Sequence, residues 1–531
     1  MKTHKILSAA LACTLAFTGC TDLDETPYTF VAPSSFYQNE AQLDEALNSV
    51  YNAFRNCAGN WQNIMRLEDC TEYGQPSRSA KNDNVNINDW YDINNTNSTS
   101  TFPNMWARSY VTINRANTVL ARGEGVSMDE TAKTYIYAQA RFLRAYSFFN
   151  LVRLYGGVPI PSSYTNSLEG LEIPRSSVEE VYAYIINDLE YCESVLPEKG
   201  TSDYDIWRVS KGAAQALLGE LYLYRGSMNN DASDLQKCVD YCKKVINSGT
   251  YRLLDNYLDL WYCFAAENSK NNDESIFELQ YAAISGQDNQ MHRMFGTFGD
   301  SYYNTVGGSY FYLRTGPSIY AYESYSDDDV RKQVFITSGT ARKGSTETYM
   351  EFVPEDKGKF PGSKGWQCCT PGNGKYYDFT TSASLLKSAN NFMLLRYSEV
   401  LLNYAEALNK LSAASSEALS ALNQVHTRAG LTAYSGLSQD ELDDAIAQER
   451  GWEFIGEGKL YFDELRTDRL GKAVYEFISR GVAEGMQYFR PLNFVPQKTF
   501  LWKILQADLD SNPALEQNPD NVSDPRYPLS N

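Results

Sequence analysis

Apolar positions recur at spacings of three and four along most of this chain, and each such run predicts an amphipathic helix. Residues 130–154 carry Ala138, Phe142, Ala145, Phe149 and Val152 on one stripe, then stop at Gly156-Gly157 with Pro159 and Pro161 beyond. Residues 177–195 repeat the pattern through Val178, Val181, Ile185 and Leu189, as do 208–225 through Ala214, Leu217, Leu218, Leu221 and Tyr224, and then 234–247. Leu394, Tyr397, Leu401, Ala405 and Leu408 make a further stripe, followed by helices over 415–429 and 438–456. The helices fall in pairs, with small residues such as Ala213, Ala214, Ala216, Gly219, Ala405 and Ala407 where close contacts are needed. That combination predicts a mostly α fold of tetratricopeptide-like pairs, degenerate because no strict repeat of roughly 34 residues runs through the chain.

Two stretches break the period. Residues 250–390 gain Gly, Ser, Asn and aromatics, including Tyr302-Tyr303, Tyr310-Phe311-Tyr312, Tyr320, Tyr322, Tyr325 and Trp366. Residues 60–105 look similar, with an Asn-rich run from Asn82 to Asn97 around Trp90-Tyr91. Long irregular segments on a helical scaffold are where binding residues concentrate.

The N-terminus has a different logic. A basic start (Lys2, Lys5), an apolar run from Ile6 to Phe17 and then Thr18-Gly19-Cys20 read as an export signal over residues 1–19, too short to span a bilayer. A small residue placed directly before Cys resembles the lipobox of bacterial lipoproteins, although Phe17 stands where Leu is favoured. The resemblance makes Cys20 the lipidated N-terminus of the mature protein. Residues 20–33, opening Thr21-Asp22-Leu23-Asp24-Glu25, are polar and acidic and read as a flexible tether. That acidity is similar to the signal that sends some lipoproteins to the outer face of the outer membrane. Residues 34–531 carry no Gly/Ser-rich or Pro-rich linker and are expected to form one large unit. No later segment is apolar for eighteen residues, so the protein is expected to sit on its membrane through lipid.

The chain has 531 residues and a formal charge of -19, and losing residues 1–19 removes two lysines and no acid, leaving about -21. Such a surface excludes a nucleic-acid partner. Beyond Cys13 and Cys20 there remain Cys57, Cys70, Cys192, Cys238, Cys242, Cys263, Cys368 and Cys369, of which Cys57 and Cys70 are spaced for a local bridge. Cys238 and Cys242 lie one helical turn apart, but His292 and His426 are distant in sequence and no second pair completes a zinc site. Asp327-Asp328-Asp329 and the alternation Asn84, Asn86, Asn88 with Asp89 lack the Gly and distal Glu of a calcium loop and read as solvated turns. No metal or cofactor is expected.

Several blocks in order carry a family resemblance: WARSYVTINRAN (Trp106 to Asn117), AQARFLRAYSFFNLVRLYGGVPIP (Ala138 to Pro161), VSKGAAQALLGELYLYRG (Val209 to Gly226) and LRYSEVLLNYAEALN (Leu395 to Asn409). LNQVHTRAGL (Leu422 to Leu431), ERGWEFIGEGKLYFDELR (Glu449 to Arg466) and SNPALEQNP (Ser511 to Pro519) follow. Along nearly its whole length the chain resembles the SusD/RagB family of outer-membrane nutrient-binding lipoproteins. It departs at His426, where Arg is usual, and at Gly451-Trp452, which replaces a more usual pair. The resemblance implies a helical, non-enzymatic protein above a TonB-dependent outer-membrane transporter, which captures oligosaccharides, or in some members peptides, and passes them on.

Glu449, Glu453 and Glu457 share a helix face, and Asp463 and Arg466 follow, so a glycosidase pair can be imagined there. Interleaved Arg450, Lys459 and Arg466 instead predict an ion-paired structural network. The motifs HExxH, GxSxG and GxxxxGK[ST] and a dinucleotide fingerprint are absent from the sequence. A surface glycan-active enzyme and a purely structural scaffold are the rival readings. A sugar offers a C–H face and a hydroxyl rim, so its receptor needs aromatic platforms beside hydrogen-bonding groups. Two sets meet that need: Trp90 and Tyr91 with Arg78, Asp92, Asn94 and Asn95, and then Tyr302, Tyr303, Tyr310 and Tyr312 with Asn304.

Overall fold

The computed structural model describes residues 36–76, 105–165, 170–292, 315–343, 346–352, 370–378, 387–413, 415–486, 489 and 491–529. Its scaffold helices are α1 (Glu40–Ala58), α2 (Trp61–Asp69), α3 (Met105–Gly123), α4 (Glu130–Tyr155), α5 (Val178–Val195), α6 (Lys211–Asn229) and α7 (Ala232–Asn247). After the irregular region come α8 (Tyr397–Leu411), α9 (Ser416–Arg428), α10 (Gln439–Phe454), α11 (Leu460–Arg466) and α12 (Leu470–Ala483).

Local chemistry sets the ends. Ser177 with Glu180 and Ser438 with Glu441 form capping boxes at the starts of α5 and α10, satisfying amides that a helix terminus leaves open. Gly156 ends α4 at φ +74°, a conformation that a side chain would strain, as the Gly156-Gly157 signal predicts.

Packing runs in sequence order. α1 lies on α3, α3 on α4, α4 on α5, α5 on α6, α6 on α7, α7 on α8 and α8 on α9. Only two residues separate α6 from α7, so the chain must double back there. Small residues permit the close approach: a side chain at Gly219 would begin 3.0 Å from Cys242 Sγ, and Ala213, Ala214, Ala405 and Ala407 are fully buried. One contiguous apolar cluster extends from Leu43 to Leu505.

The regions expected to be irregular hold more order than their composition indicates. Asn60 caps α2, a nine-residue helix inside the stretch 60–105, and its buried face is partly polar (Asn63, Arg66, Glu68, Asp69), which hides the period. Between α7 and α8 lie short strands that form four two-stranded antiparallel sheets with partners near them or outside. β1 (Gly74–Pro76) pairs with β3 (Thr315–Pro317), and β2 (Ser275–Leu279) with β8 (Phe392–Arg396). β4 (Phe335–Ile336) pairs with β7 (Gly372–Asn373), and β5 (Ser338–Lys343) with β6 (Thr346–Glu351). Among the described residues no helix is long and apolar enough to cross a membrane.

Candidate functional site

The β1–β3 pair is three residues long and needs help to hold together. Thr315 donates its hydroxyl to Asp69 at the end of α2, and Ser318 donates its amide to the Tyr73 carbonyl at 2.8 Å and its hydroxyl to the Glu72 carbonyl. Gly74 and Gly316 are needed for this approach, since a Cβ would fall 2.4 Å from the Glu68 carbonyl oxygen in one case and 2.3 Å from that of Pro371 in the other. Burial pushes Asp69 up to about 8, against the opposing pull of Thr315 and Arg66. It pushes Glu68 up to about 7, although the Gly458 amide donates to Glu68 at 2.7 Å.

The register of this pair has a topological consequence. Pro76 is the Cα partner of Thr315, so the described residues that precede 77–104 and follow 293–314 are paired. Other connections meet nearby. Thr370 and Pro371 sit against Gly316, and Phe352 packs with Ile319, at the start of the short helix Ile319–Ser324, and with Met486. The described residues that border 77–104, 293–314 and 353–369 therefore form one foundation.

That foundation is fastened to α10 by the Glu stripe. Arg331 donates to Glu449 at 2.6 Å, to Glu453 at 3.1 Å and to Asp329 at 2.8 Å. Arg396 reaches Glu453 and also Glu274 (3.2 Å) and Glu457 (2.9 Å), Arg428 joins Glu274 (2.8 Å) to Glu453 (2.6 Å), and Lys375 reaches Glu457 at 2.8 Å. Burial alone would raise Glu453, but Arg428, Arg396 and Arg331 outweigh it and hold its carboxyl well below the usual range. Glu457 is likewise lowered, burial being overcome by Arg396 and Lys375. Five carboxylates (Glu274, Asp329, Glu449, Glu453, Glu457) face three guanidiniums and the Lys375 amine, and His426 Nδ1 closes on Glu449 at 2.7 Å. The stripe is thus a structural network, but its partners come from 330–430. Arg450, Lys459 and Arg466 turn instead to Asp463, Glu399 and Glu406.

The departures at His426 and Gly451-Trp452 also find reasons here. The His426 ring stacks on Tyr434 at 4.2 Å, a Cβ at position 451 would fall 2.1 Å from the Tyr73 hydroxyl oxygen, so Gly there leaves Tyr73 its place, and Trp452 lies over Arg331 at 5.7 Å with Nε1 donating to Ser324 at 3.0 Å.

Beside the junction opens a cavity of about 510 Å³, bounded by Glu72 and Tyr73 before β1, by Tyr320 after β3, and by α10, α11 and α12. Arg480 stacks on the Tyr320 ring at 3.6 Å, and the Tyr320 hydroxyl donates to Glu484 at 3.0 Å.

The sequence-predicted contacts Arg78, Trp90, Tyr91, Asn94, Tyr302, Tyr303, Tyr310 and Tyr312 lie outside the described residues, as does Cys20. What the structure brings together is the roots of the two segments that carry them. Cys57 and Cys70 are not bridged: the Cys57 thiol lies 3.4 Å from Ser109 Oγ. Cys238 and Cys242 face each other at 3.9 Å inside the α6–α7–α8 contact, and no group of three metal-ligating side chains occurs among the described residues. Asp329 is no solvated turn residue but a buried partner of Arg331, which the short spacing between them could have signalled. Sequence reasoning missed Arg331, Arg396 and Arg428, because nothing local marks an arginine as the partner of a carboxylate dozens of residues away.

A sequential array of helix pairs whose clustered carboxylates are already engaged in ion pairs is the build of a binding protein. The chain belongs to the SusD family. A model described as the SusD family matches residues 364–520, and one described as starch-binding associating with outer membrane matches residues 23–223. SusD-like protein P2 of Formosa agariphila is 31% identical over 497 residues, covering 90% of this chain and 92% of that one. A SusD homolog from Bacteroides thetaiotaomicron superposes with a TM-score of 0.72 at 25% identity, covering 91% of this chain and 97% of the other. Surface glycan-binding protein A from the same organism, in complex with laminarihexaose, shares the fold at a TM-score of 0.68 and 23% identity, over 91% of this chain and 100% of that one.

Proposed function

We propose that this protein is a cell-surface lipoprotein, anchored to the outer membrane through Cys20, that captures oligosaccharides and passes them to a TonB-dependent outer-membrane transporter. The observation that carries the reading is the Pro76–Thr315 pairing. Pro76 and Thr315, the described residues that border the two candidate stretches, are strand partners, which supports reading those stretches as parts of one site that stacks on a sugar face and bonds its hydroxyls. The outer-membrane starch-binding family match and the laminarihexaose complex of a structural neighbour support a glycan as the ligand.

Two measurements test this. Trp90→Ala is expected to weaken oligosaccharide binding by about 1–3 kcal/mol in calorimetric titration while leaving the melting temperature nearly unchanged. A large fall in melting temperature with affinity intact would remove Trp90 from the site. Tagged protein drawn from gently solubilised outer membranes is expected to bring a TonB-dependent transporter with it, through an interface above about 1,000 Å². Recovering none counts against the hand-over.

A further inference from the structure

The cavity beside the β1–β3 junction bears on the chemical class of glycan, an inference that rests on the capture reading. Its floor is apolar, with Leu460, Ala473 and Phe477, while seven carboxyl groups and five cations make its walls. The arginines are all engaged. Arg450 holds Asp463 at 2.8 Å, Arg469 holds Asp443 and Asp444 at 2.7 Å each, Arg480 holds Glu484 at 3.0 Å, and Arg466 holds Glu406. The remaining cation, Lys472, stands 3.9 Å from Glu476.

The two carboxyl groups without a cation are Glu72 and Glu464. Burial raises both, and Glu72 raises Glu464 further. The seven carboxyl groups outnumber the five cations, so the walls offer no excess of positive charge.

A hydroxyl group suits such walls. It donates to a paired carboxylate and accepts from a paired guanidinium without disturbing the charge balance, while a sugar's C–H face rests on the apolar floor. A uronate or sulfate would lose its hydration and meet no uncommitted arginine. The volume, about 510 Å³, lies within the range of sites that enclose small organic ligands. We propose that this cavity is a subsite for uncharged sugar units of the captured glycan and that it discriminates against uronate and sulfated chains.

The test titrates the full-length protein in detergent with uncharged hexasaccharides, laminarihexaose among them, and with oligogalacturonate and sulfated oligosaccharides of equal length. At least one uncharged chain is expected to bind, and the anionic chains at least about tenfold more weakly. Ala473→Trp, and separately Ala447→Trp, fill the cavity and are each expected to lower the affinity for that chain at least about tenfold without lowering the melting temperature. Glu464→Gln, which keeps the shape and adds no positive charge, is expected to leave it within about twofold. Equal or tighter binding of anionic chains overturns the assignment. So does unchanged affinity in both filled variants, which leaves glycan capture standing at another place. Binding of no chain in the panel removes capture and this subsite together.

Discussion

Glu453 is the residue at which removing one group should cost the scaffold most. Its carboxylate is fully buried and accepts from Arg396, from Arg428 at 2.6 Å and from Arg331 at 3.1 Å. Glu453→Gln keeps the volume but removes the charge that three guanidiniums share. At an effective dielectric near 20, one ion pair at this range is worth about 4 kcal/mol, but the arginines repel one another and retain Glu449, Glu457 and Glu274 as partial compensation. Breaking a buried network by deleting one partner costs about 3–5 kcal/mol, and that is the expected loss. With an unfolding entropy of roughly 2.1 cal/mol/K per residue, each kcal/mol lowers the melting temperature of a chain this long by about 1 °C. The expected fall is therefore about 3–5 °C, read by calorimetry against Glu45→Gln on the exposed face of α1. Because Arg331 and Lys375 hang from the same stripe, glycan affinity should fall as well. Melting within 1 °C of the parent would refute the view that the stripe fastens the irregular region to α10.

Two further perturbations probe the junction itself. Gly316→Ala places a methyl group 2.3 Å from the Pro371 carbonyl oxygen, so it is expected to cost about 1–3 kcal/mol and to weaken glycan binding more than melting at distant helices, as hydrogen exchange at β1 would show. Stability should also depend on pH in two directions. Asp69 and Glu68 hold protons in the folded state up to about 8 and about 7, whereas the unfolded chain releases them near 4, so stability falls as pH rises from about 4 to 8. Glu453, Glu457 and Glu406 are lowered on folding, so their contribution is present above about 4.5 and is lost as pH falls below it. Thermal melts from pH 3 to 9 should peak between about 4.5 and 6, and Asp69→Asn should flatten the alkaline slope; an unchanged slope in that variant assigns it elsewhere.

The helix pairs were legible because each is a local object. Period, caps and terminators lie within twenty residues of one another, and the ends predicted for 177–195, 415–429 and 438–456 fall within two residues of Val178–Val195, Ser416–Arg428 and Gln439–Phe454. The Glu stripe was legible as a structural network for the same reason, since Glu449 and Glu453 have the spacing of one face of α10, with Glu457 just past its end. Its partners were not, because Arg331 and Arg396 carry no local signal of the helix they will meet. The short strands escaped for a related reason: β1 and β3 hold three residues each, and β4 and β7 two, too few for any alternation to show.

The junction exposes the deeper limit. Composition identified two aromatic, Asn-rich stretches as candidate binding segments but could not say that the residues bordering them pair, because that depends on a register set by contacts about 240 residues apart in sequence. Nothing in β1 or β3 taken alone asks for the other. What joins them is glycine at 74 and 316, a threonine at 315 and an aspartate at the end of α2, each unremarked in its own neighbourhood.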